Sequence, residues 1–106
     1  MPSIRSFSDI AKTLYNTIDA TRPAAANELY ILGTTSYYKN NFTEAADYFA
    51  RTYKLDSTQV DAANFAALSY AKLEQVDNAK KYYQYILTNS PTSGYAGEAT
   101  TYISKH

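Results

Sequence analysis

A spacing of 34 residues runs through this chain and constrains its fold more than any other feature. Ala45 recurs as Ala79, Phe49 as Tyr83, Phe42 as Val76, Tyr48 as Tyr82, Gly33 as Ala67 and Ser57 as Pro91. The same step backwards leads from Ala45 to Ala11, from Phe49 to Tyr15 and from Ser57 to Pro23. Self-similarity at a fixed period of this size marks an array of small supersecondary units that bury their apolar faces only by stacking.

Within each unit the pattern is helical. Leu29, Leu32, Gly33 and Ser36 fall at i, i+3, i+4 and i+7, one face of a helix, with Gly33 admitting a close neighbour. The stretch "KNN" at 39–41 breaks that helix. A second helix is predicted near Thr43 as N-cap, with Glu44 in the first turn and Ala45, Phe49 and Thr52 facing inward. In the next unit Thr58 is predicted to cap, with Asp61 three residues on. Asp77 is predicted to cap the helix that Pro91 closes.

A small pair, an alanine, an aromatic four residues later and a closing proline, repeated every 34 residues, resembles the tetratricopeptide repeat. Leu29, Leu32, Gly33, Ala45 and Phe49 carry the resemblance in the first full repeat, and Ala67, Tyr70, Ala79, Tyr83 and Pro91 in the second. The chain departs at Leu29 and Ala63, where the family favours tryptophan, at Ser36 in place of an aromatic, and at Ser57 in place of proline. The resemblance implies an all-α fold: a right-handed superhelix, or solenoid, of antiparallel helix hairpins with about six helices. One domain over 1–106 would then comprise an N-terminal helix at 6–22, repeats at 24–57 and 58–91, and a capping helix at 92–105. Gly94 and Gly97 weaken that last helix by about 1 kcal/mol each relative to alanine.

Composition removes several functions. The 106 residues are 45% hydrophobic, enough for one modest core. Ten basic and ten acidic residues balance to zero, so the charge that drives sequence-independent nucleic-acid binding is missing. The chain has no cysteine, which excludes disulfides, thiolate metal sites and cysteine nucleophiles. Its one histidine, His106, is the last residue of the sequence, and no nucleophile has a base. The carboxylates are scattered, with no pair spaced for acid and base work, so no catalysis, metal or cofactor is expected. Asn41-Phe42-Thr43 matches a glycosylation acceptor, a triplet common by chance. Apolar stretches are too short to span a bilayer, and "MPSIRSFSDIAK" is not a secretory signal. Cytoplasmic and extracytoplasmic bacterial settings both fit, with any targeting or membrane segment outside this chain.

Candidate site residues come from the tyrosines, twelve in all. Tyr15, Tyr70 and Tyr83 fall at packing positions, and Tyr48 and Tyr82 beside them. Tyr30, Thr34, Tyr37 and Tyr38 instead form a stripe at i, i+4, i+7 and i+8, turned about 100° from the core stripe. The resemblance implies that this stripe faces a concave groove holding an extended or helical peptide. Its continuation would be Asn64, Leu68, Ala71 and Lys72 with Asp61 at the rim, then Glu98, Tyr102 and Lys105 with Tyr95 at the rim. Tyrosine suits such a surface because it buries a large area with few rotors and offers a hydroxyl, and Asn64 can pair both its carbonyl and its amide with a peptide backbone. On this reading the Tyr30→Ala, Tyr38→Ala double variant keeps its stability and loses its partner. The cationic clamp with which some family members hold chaperone tails is not built, because Tyr30, Thr34, Phe65, Tyr95 and Ala99 stand at its places.

The sequence therefore leads to a non-catalytic scaffold that binds a protein or peptide partner as a module of a larger protein, with structural self-association into a weak homo-oligomer as the alternative. The exposed tyrosines either touch a partner or pack against neighbouring repeats of a longer chain. Neither nucleic acid nor direct membrane insertion is expected.

Overall fold

A computed structural model describes residues 23–106. Those residues form five helices joined by turns, and no strand occurs among them. They are α1 (Pro23–Tyr38), α2 (Phe42–Leu55), α3 (Val60–Lys72), α4 (Val76–Asn89) and α5 (Ala96–Lys105). The sixth helix, expected over 6–22, lies outside the described residues. Packing runs mainly between consecutive helices, α1 on α2, α2 on α3, α3 on α4 and α4 on α5.

The 34-residue spacing governs the backbone as well as the side chains. Helices α1 and α3 end at Tyr38 and Lys72, while α2 and α4 run from Phe42 to Leu55 and from Val76 to Asn89, each pair of ends one repeat apart. The two sharp turns are superimposable in their hydrogen bonds. Asn40 donates to the Tyr37 carbonyl at 3.0 Å and Asn41 to that of Ser36 at 2.9 Å; Glu74 donates to Ala71 at 3.0 Å and Gln75 to Tyr70 at 2.9 Å. These paired bonds close a helix with a Schellman motif, whose hinge residue must be left-handed. Asn40 (φ 62°) and Glu74 (φ 60°) take that conformation. Asparagine tolerates it, whereas glutamate has a Cβ and no compensating local bond. Glu74→Gly is therefore expected to raise stability by about 1 kcal/mol, read as a higher urea midpoint at unchanged slope.

This turn chemistry also corrects the expected caps. Asn41 and Gln75 stand at the N-caps of α2 and α4, so Thr43 and Asp77 lie inside the first turn, and neither cap residue makes a side-chain cap bond. The Schellman bond fixes where each following helix begins, and capping propensity yields to it. At α3 the N-cap is Gln59. Thr58 instead donates its backbone N–H (3.1 Å) and its hydroxyl (2.6 Å) to Asp56 Oδ1, folding the turn before the helix. Those two bonds hold the Asp56 carboxyl below its usual range. Proline 23 opens α1, where its missing N–H costs nothing. The last helix starts at Ala96, later than the expected 92. Residues 90–96 turn through bonds from Ser93 to Ser90 (3.0 Å) and from Ala96 to Ser93 (3.2 Å), so Gly94 sits in the turn and only Gly97 in the helix.

The repeat positions are the core. Ala45 and Ala79, Phe49 and Tyr83, and Thr52 and Ile86 are all buried pairs. Helix α3 is packed on both sides, and Ala62, Ala63, Ala66 and Ala67 give it a wide face small enough for close approach. Leu29, Leu32 and Tyr48 form a second cluster with Leu55 against it. Gly33 is required by contact: a Cβ there would lie 2.8 Å from Cε1 of Phe49.

Candidate functional site

The stripe read from the sequence divides in two when its side chains are placed. Tyr30 and Tyr37 on α1 are half-buried and lean on the core. Tyr30 meets Phe49 edge-on at 5.7 Å and Phe65 at 6.3 Å, and Tyr37 meets Phe65 at 5.2 Å and Phe42 at 5.4 Å. Phe65, on α3, is the organiser, stacked on Phe49 at 4.8 Å with the planes 13° apart. Edge-to-face and offset arrangements of this kind add about 0.5–1.5 kcal/mol per pair beyond area burial. Tyr30 thus supports the fold, which corrects the expectation that its removal would leave stability untouched. Tyr38, 74% exposed, is the ring of this stripe that stands in solvent, edge-on to Tyr37 at 5.5 Å.

Around these rings lie the other candidates. Thr34 turns its hydroxyl back to the Ile31 carbonyl (2.9 Å), a bond within its own helix. Leu68 is half-buried, and Lys72 holds its ammonium 5.7 Å from the Phe42 ring. Asp61 and Tyr95, one repeat apart, are joined by a hydrogen bond from the Tyr95 hydroxyl to Oδ1. That bond, with burial behind it, pushes the Tyr95 pKa up to about 12. Burial first, then the charges of Asp61 and Tyr38, raises Tyr30; burial, then Tyr38 and Glu98, raises Tyr37. Glu98 accepts a long bond from Tyr83 at 3.5 Å, and Tyr102 lies against Tyr83 at 4.9 Å and under His106 at 4.2 Å. These mutual influences tie residues of α1, α3 and α5 to one surface.

At the middle of that surface is Asn64. It is 7% exposed, and its side-chain oxygen is buried without a hydrogen-bond partner. A buried amide oxygen left unpaired costs about 1–3 kcal/mol. Asp61 and Leu68, at i−3 and i+4, flank it on the same face of α3.

Sequence reasoning missed Phe65 as a site-builder. Its repeat mate is Ile31, which is 62% exposed, so the period carries no hint of it. A clue was the i+4 relation of Phe65 to Asp61 beside Asn64. Among the described residues no cluster of three or more His, Cys, Asp or Glu side chains could hold a metal ion. Among those same residues no helix is long and apolar enough to cross a membrane. The chain matches no family model and no curated protein.

Proposed function

We propose that this chain is a tetratricopeptide-like interaction module, a solenoid of helix hairpins whose α1, α3 and α5 line a groove for a peptide or a partner helix, and that it acts by binding without catalysis. The observation that carries this reading is Asn64. Its buried, unpaired oxygen is an acceptor waiting for a donor, and a peptide N–H passing over α3 supplies one. Tyr38 offers an exposed ring on α1, and the Asp61–Tyr95 bond ties Tyr95 to α3 at the rim. A groove with rigid aromatic anchors and a few placed polar groups is how many modules bind extended segments. Linear packing of consecutive helices and turns repeated at 34-residue spacing support the family resemblance.

The test separates binding from folding. Peptides selected from a random library on the wild-type protein are titrated against Asn64→Leu and Tyr38→Ala. Asn64→Leu removes an unpaired polar group, so its melting temperature is expected to hold or rise while affinity falls about tenfold or more, a loss of roughly 1.4 kcal/mol. Tyr38→Ala is expected to melt like the wild type and to lose affinity as well. Undiminished binding by both variants would sink the groove. A second reading, self-association, draws on Ile31 and Tyr38, both exposed and two turns apart on α1. Sedimentation that stays monomeric across a wide concentration range eliminates it.

A further inference from the structure

The tyrosines of α2 and α4 build a second concavity, apart from the surface just described. It encloses about 390 Å³ and is lined chiefly by Tyr53, Lys54, Ser57, Lys81, Tyr82 and Tyr85, none of which belongs to α1, α3 or α5. That volume lies in the range of about 300–1,000 Å³ typical of small-molecule sites. We propose that it is a binding site for a small aromatic anion, a flat ring bearing a phosphate or a carboxylate.

Its walls are held in place. Tyr53 and Tyr85 lie nearly parallel, 22° apart with centroids 5.8 Å apart, and Tyr82 closes the corner edge-on to Tyr85 at 5.3 Å and to Tyr53 at 6.4 Å. Behind them Tyr82 stacks on Tyr70 at 5.7 Å. The Tyr53 hydroxyl accepts a bond from Asn89 Nδ2 at 3.0 Å, which fixes that ring. A ring-shaped ligand therefore meets preset aromatic faces with little ordering cost.

The rim supplies charge of one sign. Lys81 leans its ammonium over Tyr82 (5.8 Å) and Tyr85 (6.0 Å), and Lys54 is a second cation of the lining. No acid lines the cavity. Asp47 reaches Tyr82 with its charge but is not part of the lining. Ser57 and the tyrosine hydroxyls add neutral donors. Two cations, several donors and no acid favour an anionic group over a neutral one.

The repeat does not account for this chemistry. One period away, Lys81 corresponds to Asp47, Tyr85 to Arg51, Tyr53 to Leu87 and Lys54 to Thr88. Tyr82 repeats Tyr48, but both lysines and the other two tyrosines of the lining stand where the two units differ, so their combination is specific to this seam.

The full chain is titrated with phenyl phosphate, benzoate, inorganic phosphate and phenol, followed by backbone amide shifts. Phenyl phosphate or benzoate is expected to bind at least about tenfold more tightly than inorganic phosphate or phenol, with shifts centred on Ala50, Ser57 and Tyr85. The ratio of the first two assigns the anionic group. Lys81→Gln is expected to weaken that binding about tenfold, Lys81→Arg to retain it, and Asn64→Leu to leave it unchanged, so failure of this site and failure of the groove are read separately. Absence of saturation, equal binding of inorganic phosphate, or indifference to Lys81→Gln in a variant of unchanged helicity would overturn the proposal.

Discussion

Replacing Phe49 by alanine is expected to cost about 3–5 kcal/mol. The ring is fully buried, faces Gly33 with no room for a methyl group between them, and stacks on Phe65 at 4.8 Å. Tyr30 touches its edge at 5.7 Å and Tyr37 at 6.5 Å, so three aromatic partners and contacts from α1, α2 and α3 pass through one side chain. Removing it leaves a cavity that Gly33 cannot fill and that the stacked Phe65 cannot reach without abandoning Tyr37. A domain of this size has about 5–15 kcal/mol in total, so the variant would be partly unfolded at moderate temperature. Urea unfolding followed by helical circular dichroism measures the change; a loss below about 1 kcal/mol would mean that the cluster around Phe65 stands without it. A weaker candidate surface is expected to follow, because Tyr30 and Tyr37 are positioned by the same ring.

That dependence explains which parts of the molecule the sequence reveals. Period-34 residues such as Ala45, Phe49, Ala79 and Tyr83 are legible because each repeats the same packing task, and all four are buried. Tyr38 is legible as an exposed ring because it lies off the core stripe and at the end of its helix. Tyr30 and Tyr37 share that stripe but are drawn inward by Phe65, a residue with no aromatic counterpart one period away. Caps are the opposite case: Thr43, Thr58 and Asp77 have the right side chains, but the hydrogen bonds of the preceding turn, backbone ones before α2 and α4 and those of Thr58 to Asp56 before α3, decide the helix starts. Local propensity is a weak prior wherever a tertiary or turn-level constraint already specifies the position. The unpaired oxygen of Asn64 is legible only in part. The sequence marks it as a polar residue on a candidate surface, while its burial depends on helices that lie beside it in space.

High pH is expected to unfold this protein cooperatively between about pH 10 and 12, because seven of its tyrosines resist ionisation in the folded state. Burial is the leading cause at Tyr82, pushed up to about 12, and at Tyr83, raised further with help from the Glu98 carboxylate. Tyr95 is held at about 12 first by its bond to Asp61. Tyr30, Tyr37, Tyr48 and Tyr70 are raised as well, each chiefly by burial. Below the ordinary tyrosine value near pH 10 both states keep these protons and the full stability is present. Above it the unfolded chain ionises while the folded one cannot, so the unfolded state binds fewer protons and stability falls as pH rises. The loss continues until pH passes the folded values. Phenolate absorbance and helical circular dichroism recorded together should therefore change in one steep step, with the absorbance lagging a simple titration until helicity collapses. Tyr95→Phe removes one linked proton together with its bond to Asp61, so its stability should be lower at neutral pH and decline more gently above pH 10. A smooth titration near pH 10 with helicity intact beyond pH 12 would show that these hydroxyls are wetter than their packing implies.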